Sequence, residues 1–484
     1  MSNKIIKILV IALLAAVFSG IFFGGCGILG TSASAEAAAS SEDDADEVLQ
    51  GYENGIIDTE DMFTKRDLKQ TADLSDAIYY TLADNEDIQI SEAGVYVISG
   101  TASESTVMVE APDDAKVQIV LDGVSITNSD FPCIYIRTAD KVFVTVEADS
   151  SLSVTGSFVS DGDIKTDGVI FSRSDLVLNG TAELTLSSSA HGIVGKDDLK
   201  ITGGTYAITA ASHGIEANDS IRIADGTLII KAEKDALHAE NDDDDTLGYV
   251  YICGGSLSIS AGDDGIHAIS CIQIDDGSME ISAAEGVEAT RIQINSGSLN
   301  IKASDDGINA ARKSSSMSPC VEINGGEINI TMGAGDTDGI DSNGDIIING
   351  GTVNITGSST FDYVGSGTIN GGTVYCNGQQ VSTLPNQMMG GMGQNGPGGG
   401  WGGHGGRNGQ SGEWGGQNGG QNGESNGPGG FPGQRPKNGG ERPEGDPPEG
   451  GFPEGGFPEG GLPEGDFPKG EFPEEGFSGD GSQI

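Results

Sequence analysis

Short runs in which every second residue is apolar recur along most of this chain. Examples are Ile221 and Ile223, Leu228 and Ile230, Ile272 and Ile274, Met279 and Ile281, Ile292 and Ile294, Leu299 and Ile301, and Ile346 and Ile348. Alternation with period two describes strands that bury one face. No stretch among these repeats spaces its apolar residues by three and four, which excludes a helical solenoid.

Two glycines punctuate each pair of strands. The first follows an acidic residue or His and precedes a branched apolar residue, as in Asp167-Gly168-Val169, His191-Gly192-Ile193, His213-Gly214-Ile215, Asp264-Gly265-Ile266, Glu285-Gly286-Val287, Asp306-Gly307-Ile308 and Asp338-Gly339-Ile340, with Asp235-Ala236-Leu237 as a variant. Successive positions 168, 192, 214, 236, 265, 286, 307 and 339 are 24, 22, 22, 29, 21, 21 and 32 residues apart. A period of this length with two longer steps is the mark of a solenoid with loop insertions. The second glycine keeps step at Gly180, Gly204, Gly226, Gly255, Gly277, Gly297, Gly326, Gly351 and Gly372. A lone coil cannot bury its apolar residues, so the coils must stack. The expected fold is all-β, a right-handed single-stranded parallel β-helix in which equivalent residues of neighbouring coils sit about 4.8 Å apart.

That register gives the acids a meaning. Asp264, Glu285 and Asp306 should form one column at the corner, and His267, Glu288, Asn309 and Asp341 a second, outward one. Stacked carboxylates repel unless a cation lies between them. Calcium takes six to eight oxygens at about 2.3–2.6 Å and suits two such rungs, whereas magnesium prefers a tighter octahedron. The expected calcium ligands are Asp235, Asp263, Asp264, Glu285, Glu288, Asp305, Asp306, Asn309, Asp336, Asp338 and Asp341. The glycine beside each acid would let a backbone carbonyl approach the ion, or would simply supply a positive φ at a tight corner. Asn241-Asp242-Asp243-Asp244-Asp245 reads equally as a further cation site or a soluble insertion. His191 and His213 share one column position and His238 and His267 another; without a third soft ligand they read as outward imidazoles rather than a metal site.

Composition divides the 484 residues into four zones. Residues 1–25 place Lys4 and Lys7 before an apolar run and reach Cys26 after Gly24-Gly25, the order of a lipoprotein export signal, with Cys26 lipidated. Ala33-Ser34-Ala35 offers a conventional cleavage site instead. The expected location is extracellular, on a Gram-positive-type cell surface. Residues 26–50 read as a disordered linker and 51–384 as the β-helix body, opening with a helical segment near 61–80. Residues 385–484 are rich in Gly, Pro and Glu and read as a disordered tail with a Phe-Pro-Glu pentad, or as a wall-contacting segment.

The formal net charge of −49 argues against nucleic acid, which needs a basic footprint. It also repels an anionic glycan unless a cation bridges the two. Of the six cysteines, Cys271 and Cys320 fall two rungs apart with Arg291 between them, too far for a disulfide. A monomer is expected.

Four phrases carry a resemblance: the run from Val117 to Asn128, the run from Ala139 to Val144, the run from Gly195 to Gly204, and the run from Asp338 to Val353. Together they resemble a bacterial family of carbohydrate-binding domain-containing proteins. The resemblance covers about residues 90–377 and implies exported β-helices that bind calcium with cellulose or acidic plant polysaccharide. It also implies a fold similar to polysaccharide lyase family nine. Those lyases hold calcium with an Asp-Asp-x-x-Asp turn and use a lysine as base. Here Asp263-Asp264 and Asp305-Asp306 match the turn, but His267 and Asn309 replace its last acid, which only Asp341 retains. Lys231, Lys234, Lys302 and Lys313 lie near the acids, yet none stands in a pattern that marks a base. The expectation is calcium-dependent binding of an acidic glycan such as polygalacturonate, or of cellulose, without cleavage. A lyase or a calcium-stiffened structural adhesin is the alternative.

Overall fold

The computed structural model describes residues 55–60, 62–334 and 337–386. The export signal with Cys26, the linker, the tail from residue 387 onward and Asp336 lie outside the described residues.

No α-helix occurs among the described residues; strands make one sheet of 22 and another of 12. They pair in parallel from one repeat to the next, starting with Ile78–Thr81 against Gly94–Ser103. Among the described strands only the hairpin between Thr373–Cys376 and Gln379–Val381 is antiparallel. The alternating apolar residues stack in file: Ile272 pairs with Ile292, Ile292 with Val321 and Val321 with Ile346, all of them fully buried. Burying each such side chain contributes about 1.5–3 kcal/mol, and the repeat supplies one at every rung.

The two glycine series do different work. The second series has φ between 74° and 131°, the left-handed region where a Cβ is strained. The glycine beside the acid does not; it is required by close approach. A Cβ on Gly286 would lie 2.3 Å from the Gly307 carbonyl oxygen and 2.5 Å from Ile301 Cγ2, and Gly265 and Gly307 are as tightly packed. Nor are those carbonyls free to face an ion: Gly214 O accepts from Ile193 N at 3.0 Å and Gly307 O from Val287 N at 3.2 Å.

The 29- and 32-residue steps carry the insertions 240–248 and 311–319, which pack on each other. Asp245 accepts hydrogen bonds from Ser315 N at 2.8 Å and Ser315 Oγ at 2.6 Å, and its carbonyl accepts from Ser314 Oγ at 2.7 Å. The acids of that loop therefore serve at least in part to join two insertions.

Among the described residues 62–80 the helix expected near 61–80 is absent. A single turn, in which Thr64 N donates to Asp67 Oδ2 at 3.0 Å and Asp67 N to Thr64 Oγ1 at 3.2 Å, gives way to a strap along the larger sheet. Side chains of the sheet outcompete helical pairing. Asp67 is fully buried, 3.3 Å from Lys200 Nζ and 3.7 Å from Lys141 Nζ, and its carbonyl accepts from Thr202 Oγ1. Gln70 Nε2 donates to Thr202 O at 2.8 Å while Gln70 Oε1 accepts from Gly180 N at 3.0 Å. Met62 and Phe63 pack on Ala224 and Tyr251.

The five described cysteines are free, and Cys271, Arg291 and Cys320 occupy successive rungs as expected.

Candidate functional site

The outer face of the 12-stranded sheet collects the chemistry. In register, Glu216 stands against His238, His238 against His267, His267 against Glu288, Glu288 against Asn309, Asn309 against Asp341 and Asp341 against Asp362. This is the outward column read from the sequence, extended by Glu216 and Asp362. Glu216 follows the same phrase as the others and could have been read from it. Asp362 could not, because its rung begins Ser359-Thr360 and lacks the acid-glycine signal.

Asp264 and Glu285 stand in register as the corner column requires, but that column is not separate from the outward one. Period-two alternation would put residues three apart on opposite faces, yet the glycine corner folds each acid onto its neighbour three places on. Asp235 Oδ2 lies 2.7 Å from His238 Nδ1, and Asp264 Oδ2 lies 2.8 Å from His267 Nδ1. The two histidine pairs consequently merge into one stack, with ring centroids 5.1, 4.3 and 4.8 Å apart from His191 through His213 and His238 to His267.

Below the histidines the face is acidic. Asp264, Glu285 and Glu288 bring one carboxylate oxygen each to within 4.8 Å of one another. Asn309 Nδ2 donates to Glu285 Oε2 at 3.0 Å, and Lys313 Nζ sits 2.7 Å from Glu288 Oε2. Further along, Asp338 N donates to Asp306 Oδ1 at 3.1 Å and Ser359 Oγ donates to Asp338. Asp263 and Asp305 stay exposed at the corners, outside the group whose oxygens converge. Asp235 joins the histidines.

Burial without enough counter-charge marks several of these acids. Burial, then the Glu288 charge, pushes Glu285 up to about 8. Burial and the neighbouring Asp341, Asp305 and Asp338 outweigh the Asp338 amide and push Asp306 up to about 7. Burial with Asp362 and Asp338 pushes Asp341 up to about 6. Burial would lower His267, but the Asp264 and Glu288 carboxylates on its Nδ1 push it up to about 10. Burial would raise Asp235, but His213, His238 and the Asp264 amide hold it well below the carboxylate range.

Three buried oxygens on or beside this face have no hydrogen-bond partner: Asn309 Oδ1, Asp362 Oδ1 and Thr337 Oγ1. An unpaired buried acceptor costs about 1–3 kcal/mol. All three are hard oxygen donors beside carboxylates, so this half of the face fits a hard divalent cation.

Of the candidate lysines, Lys234 and Lys313 line the groove over the acids and histidines. Lys231 and Lys302 point to solvent from the larger sheet, paired in register with Ser260 and Thr331. Tyr206, Tyr251 and Phe361 are buried, and the exposed large apolar residues among the described ones are Ile78, Tyr79, Val159, Ile229 and Val364.

Comparison with known proteins gives two relatives. A carbohydrate-binding domain-containing protein of Acetivibrio thermocellus is 32% identical over 129 residues, which is 26% of this chain and 45% of that protein. The match thus spans less than half of that relative's length. A solved structure described as a polysaccharide lyase-like protein from C. thermocellum, in a gadolinium derivative, is 29% identical and covers 42% of this chain and 90% of its own, with a TM-score of 0.41. The profile of one family matches residues 84–336 and 285–373, and on that match the chain belongs to the carbohydrate-binding domain-containing protein family.

Proposed function

We propose that this chain is an exported, cell-surface β-helix protein that uses calcium on its acidic face to bind an acidic plant polysaccharide of the polygalacturonate class without cleaving it. The observation that carries the reading is the set of orphaned oxygens among under-compensated acids, Asn309 Oδ1 and Asp362 Oδ1 foremost. Asp264, Glu285, Glu288 and Asn309 would hold one ion, and Asp306, Asp338, Asp341 and Asp362 a second. Calcium supplies positive charge to this face and a coordination place for a uronate carboxylate. That removes the repulsion between an acidic glycan and a chain of charge −49. Coil-to-coil parallel pairing in two sheets supports a right-handed single-stranded parallel β-helix as the scaffold. Lipidation at Cys26 would make the membrane contact, and no nucleic-acid or subunit partner is invoked.

Cellulose is the weaker ligand for this face. Flat neutral sugars stack on exposed rings, and Tyr79 is the large aromatic among the exposed apolar residues of the described chain. A lyase is favoured by one observation, the closeness of Lys313 to the acids, and opposed by another. Burial would lower the Lys313 ammonium, but Glu288 outweighs it and raises the group, the opposite of what a base needs.

The test is binding of the full chain to polygalacturonate in calcium and in chelator, with cellulose as the neutral comparison and absorbance followed for an unsaturated product. Calcium-dependent binding with flat absorbance is expected. Rising absorbance would establish a lyase, and equal binding in chelator would remove calcium from the reading.

A further inference from the structure

Four of the five histidines in the whole chain stand in one stack on a single face, and the stack is interleaved with carboxylates. Chance solvation of outward imidazoles does not account for their detailed arrangement. Asp235 Oδ2 lies between two of them, 3.2 Å from His213 Nδ1 and 2.7 Å from His238 Nδ1. The three side chains are 12%, 6% and 16% exposed for His213, Asp235 and His238, so they form a largely desolvated set of two nitrogens and one oxygen. His213 Nδ1 is buried and makes no properly directed hydrogen bond in spite of its nearness to Asp235. On the far side of His238, Nε2 lies 3.2 Å from Glu240 Oε2. That places a carboxylate on the second ring nitrogen and turns the first toward Asp235, the arrangement that orients metal-bound histidines.

We propose that His213 Nδ1, His238 Nδ1 and Asp235 form a site for a divalent transition-metal ion of the zinc class, with Glu240 as its positioning residue. Two imidazoles and one carboxylate are a zinc donor set that leaves one coordination place open. Here that place faces the groove of about 590 Å³ that also borders the acidic half of the sheet. Imidazole nitrogen selects zinc, copper or nickel, whereas the oxygen-only half downstream suits calcium. One face is thereby divided between two classes of cation. Lys234 lines the same groove and supplies the opposing positive charge that limits the affinity. This site does not depend on the glycan reading, because its ligands come from a different part of the column.

The experiment is calorimetric titration of the full, chelator-treated chain with zinc, in the presence of excess calcium, together with the visible spectrum of the cobalt(II)-loaded protein. One zinc site that calcium does not displace is expected, and nitrogen-ligated tetrahedral cobalt should absorb strongly. His213→Ala and His238→Ala should each weaken zinc by about a hundredfold or more, and Glu240→Gln by roughly 10–100-fold. Asn309→Leu should leave zinc binding unchanged while weakening calcium, which separates this proposal from the calcium reading. Displacement of zinc by calcium, or unchanged affinity in both histidine variants, would overturn the site. Should those variants fold poorly, a weak octahedral cobalt spectrum in the unmutated protein would overturn it equally.

Discussion

Stripping divalent cations from the acidic face should make the fold weaken as the pH rises from about 5 to about 8, the reverse of what salt-bridged carboxylates give. Glu285 titrates near the ordinary glutamate value of 4.5 when unfolded and is pushed up to about 8 in the fold, by burial first and Glu288 second. Below about 4.5 the group is protonated in both states and contributes no penalty. Between the two values the folded state keeps a proton that the unfolded chain has released, so stability falls with pH until the penalty is complete above about 8. Each tenfold change in proton affinity is worth about 1.4 kcal/mol, which makes the loss from pH 5 to 8 on the order of 3 kcal/mol for Glu285 alone. Asp306, raised to about 7 from 3.8, acts in the same direction. So does His267, whose stabilisation is present below 6.5 and lost as the pH climbs through about 10. Thermal unfolding followed by circular dichroism in chelator should show a melting temperature roughly 6 °C lower at pH 8 than at pH 5, at about 2 °C per kcal/mol for a domain of this size. Calcium replaces the missing protons, so its stabilisation should be much larger at pH 8. A metal-free melting temperature that rises over this range, or a calcium effect equal at both pH values, would refute the assignment of these acids to a cation site.

The remaining predictions concern single side chains. Asn309→Leu should weaken calcium by about tenfold, roughly 1.4 kcal/mol, and polygalacturonate with it; calorimetry showing no loss would remove the orphaned amide oxygen from the site. Gly286→Ala should destabilise by about 1–3 kcal/mol in denaturant titration, because its Cβ would meet the Gly307 carbonyl at 2.3 Å and must push two rungs apart; a neutral result would mean the corner yields freely. Asp67→Ala leaves Lys200, only 5% exposed, without its partner and should cost about 3–5 kcal/mol. Limited proteolysis of that variant should cut first within 55–70, and an unaltered cleavage pattern would count against the strap being held by this residue.

The repeat makes much of this protein legible in its sequence. Parallel pairing repeats one local pattern at a fixed register, so the spacing of Gly265, Gly286 and Gly307 was enough to place Asp264 against Glu285 and His267 against Glu288. Alternation of Ile272 and Ile274 or Leu299 and Ile301 likewise fixed which side chains are buried. Properties that depend on how one coil is bent, or on segments outside the repeat, were not readable. Whether a glycine serves positive φ or close approach depends on which atoms lie one rung away, so the sequence separates the series of Gly286 from that of Gly277 without saying which conformation each adopts. The corner's bend brings Asp235 to His238 across three residues and fuses two expected histidine columns into one stack. Asp362 enters the face through register alone. Lys313 reaches Glu288 from an insertion, and residues 62–77 forgo a helix because Lys200, Thr202 and Gly180 offer their polar groups better partners. Sequence by itself determined the file in which each residue stands. The tertiary structure decided which files touch, because contact across a corner or from a strap is set by three-dimensional approach and leaves no periodic trace in the chain.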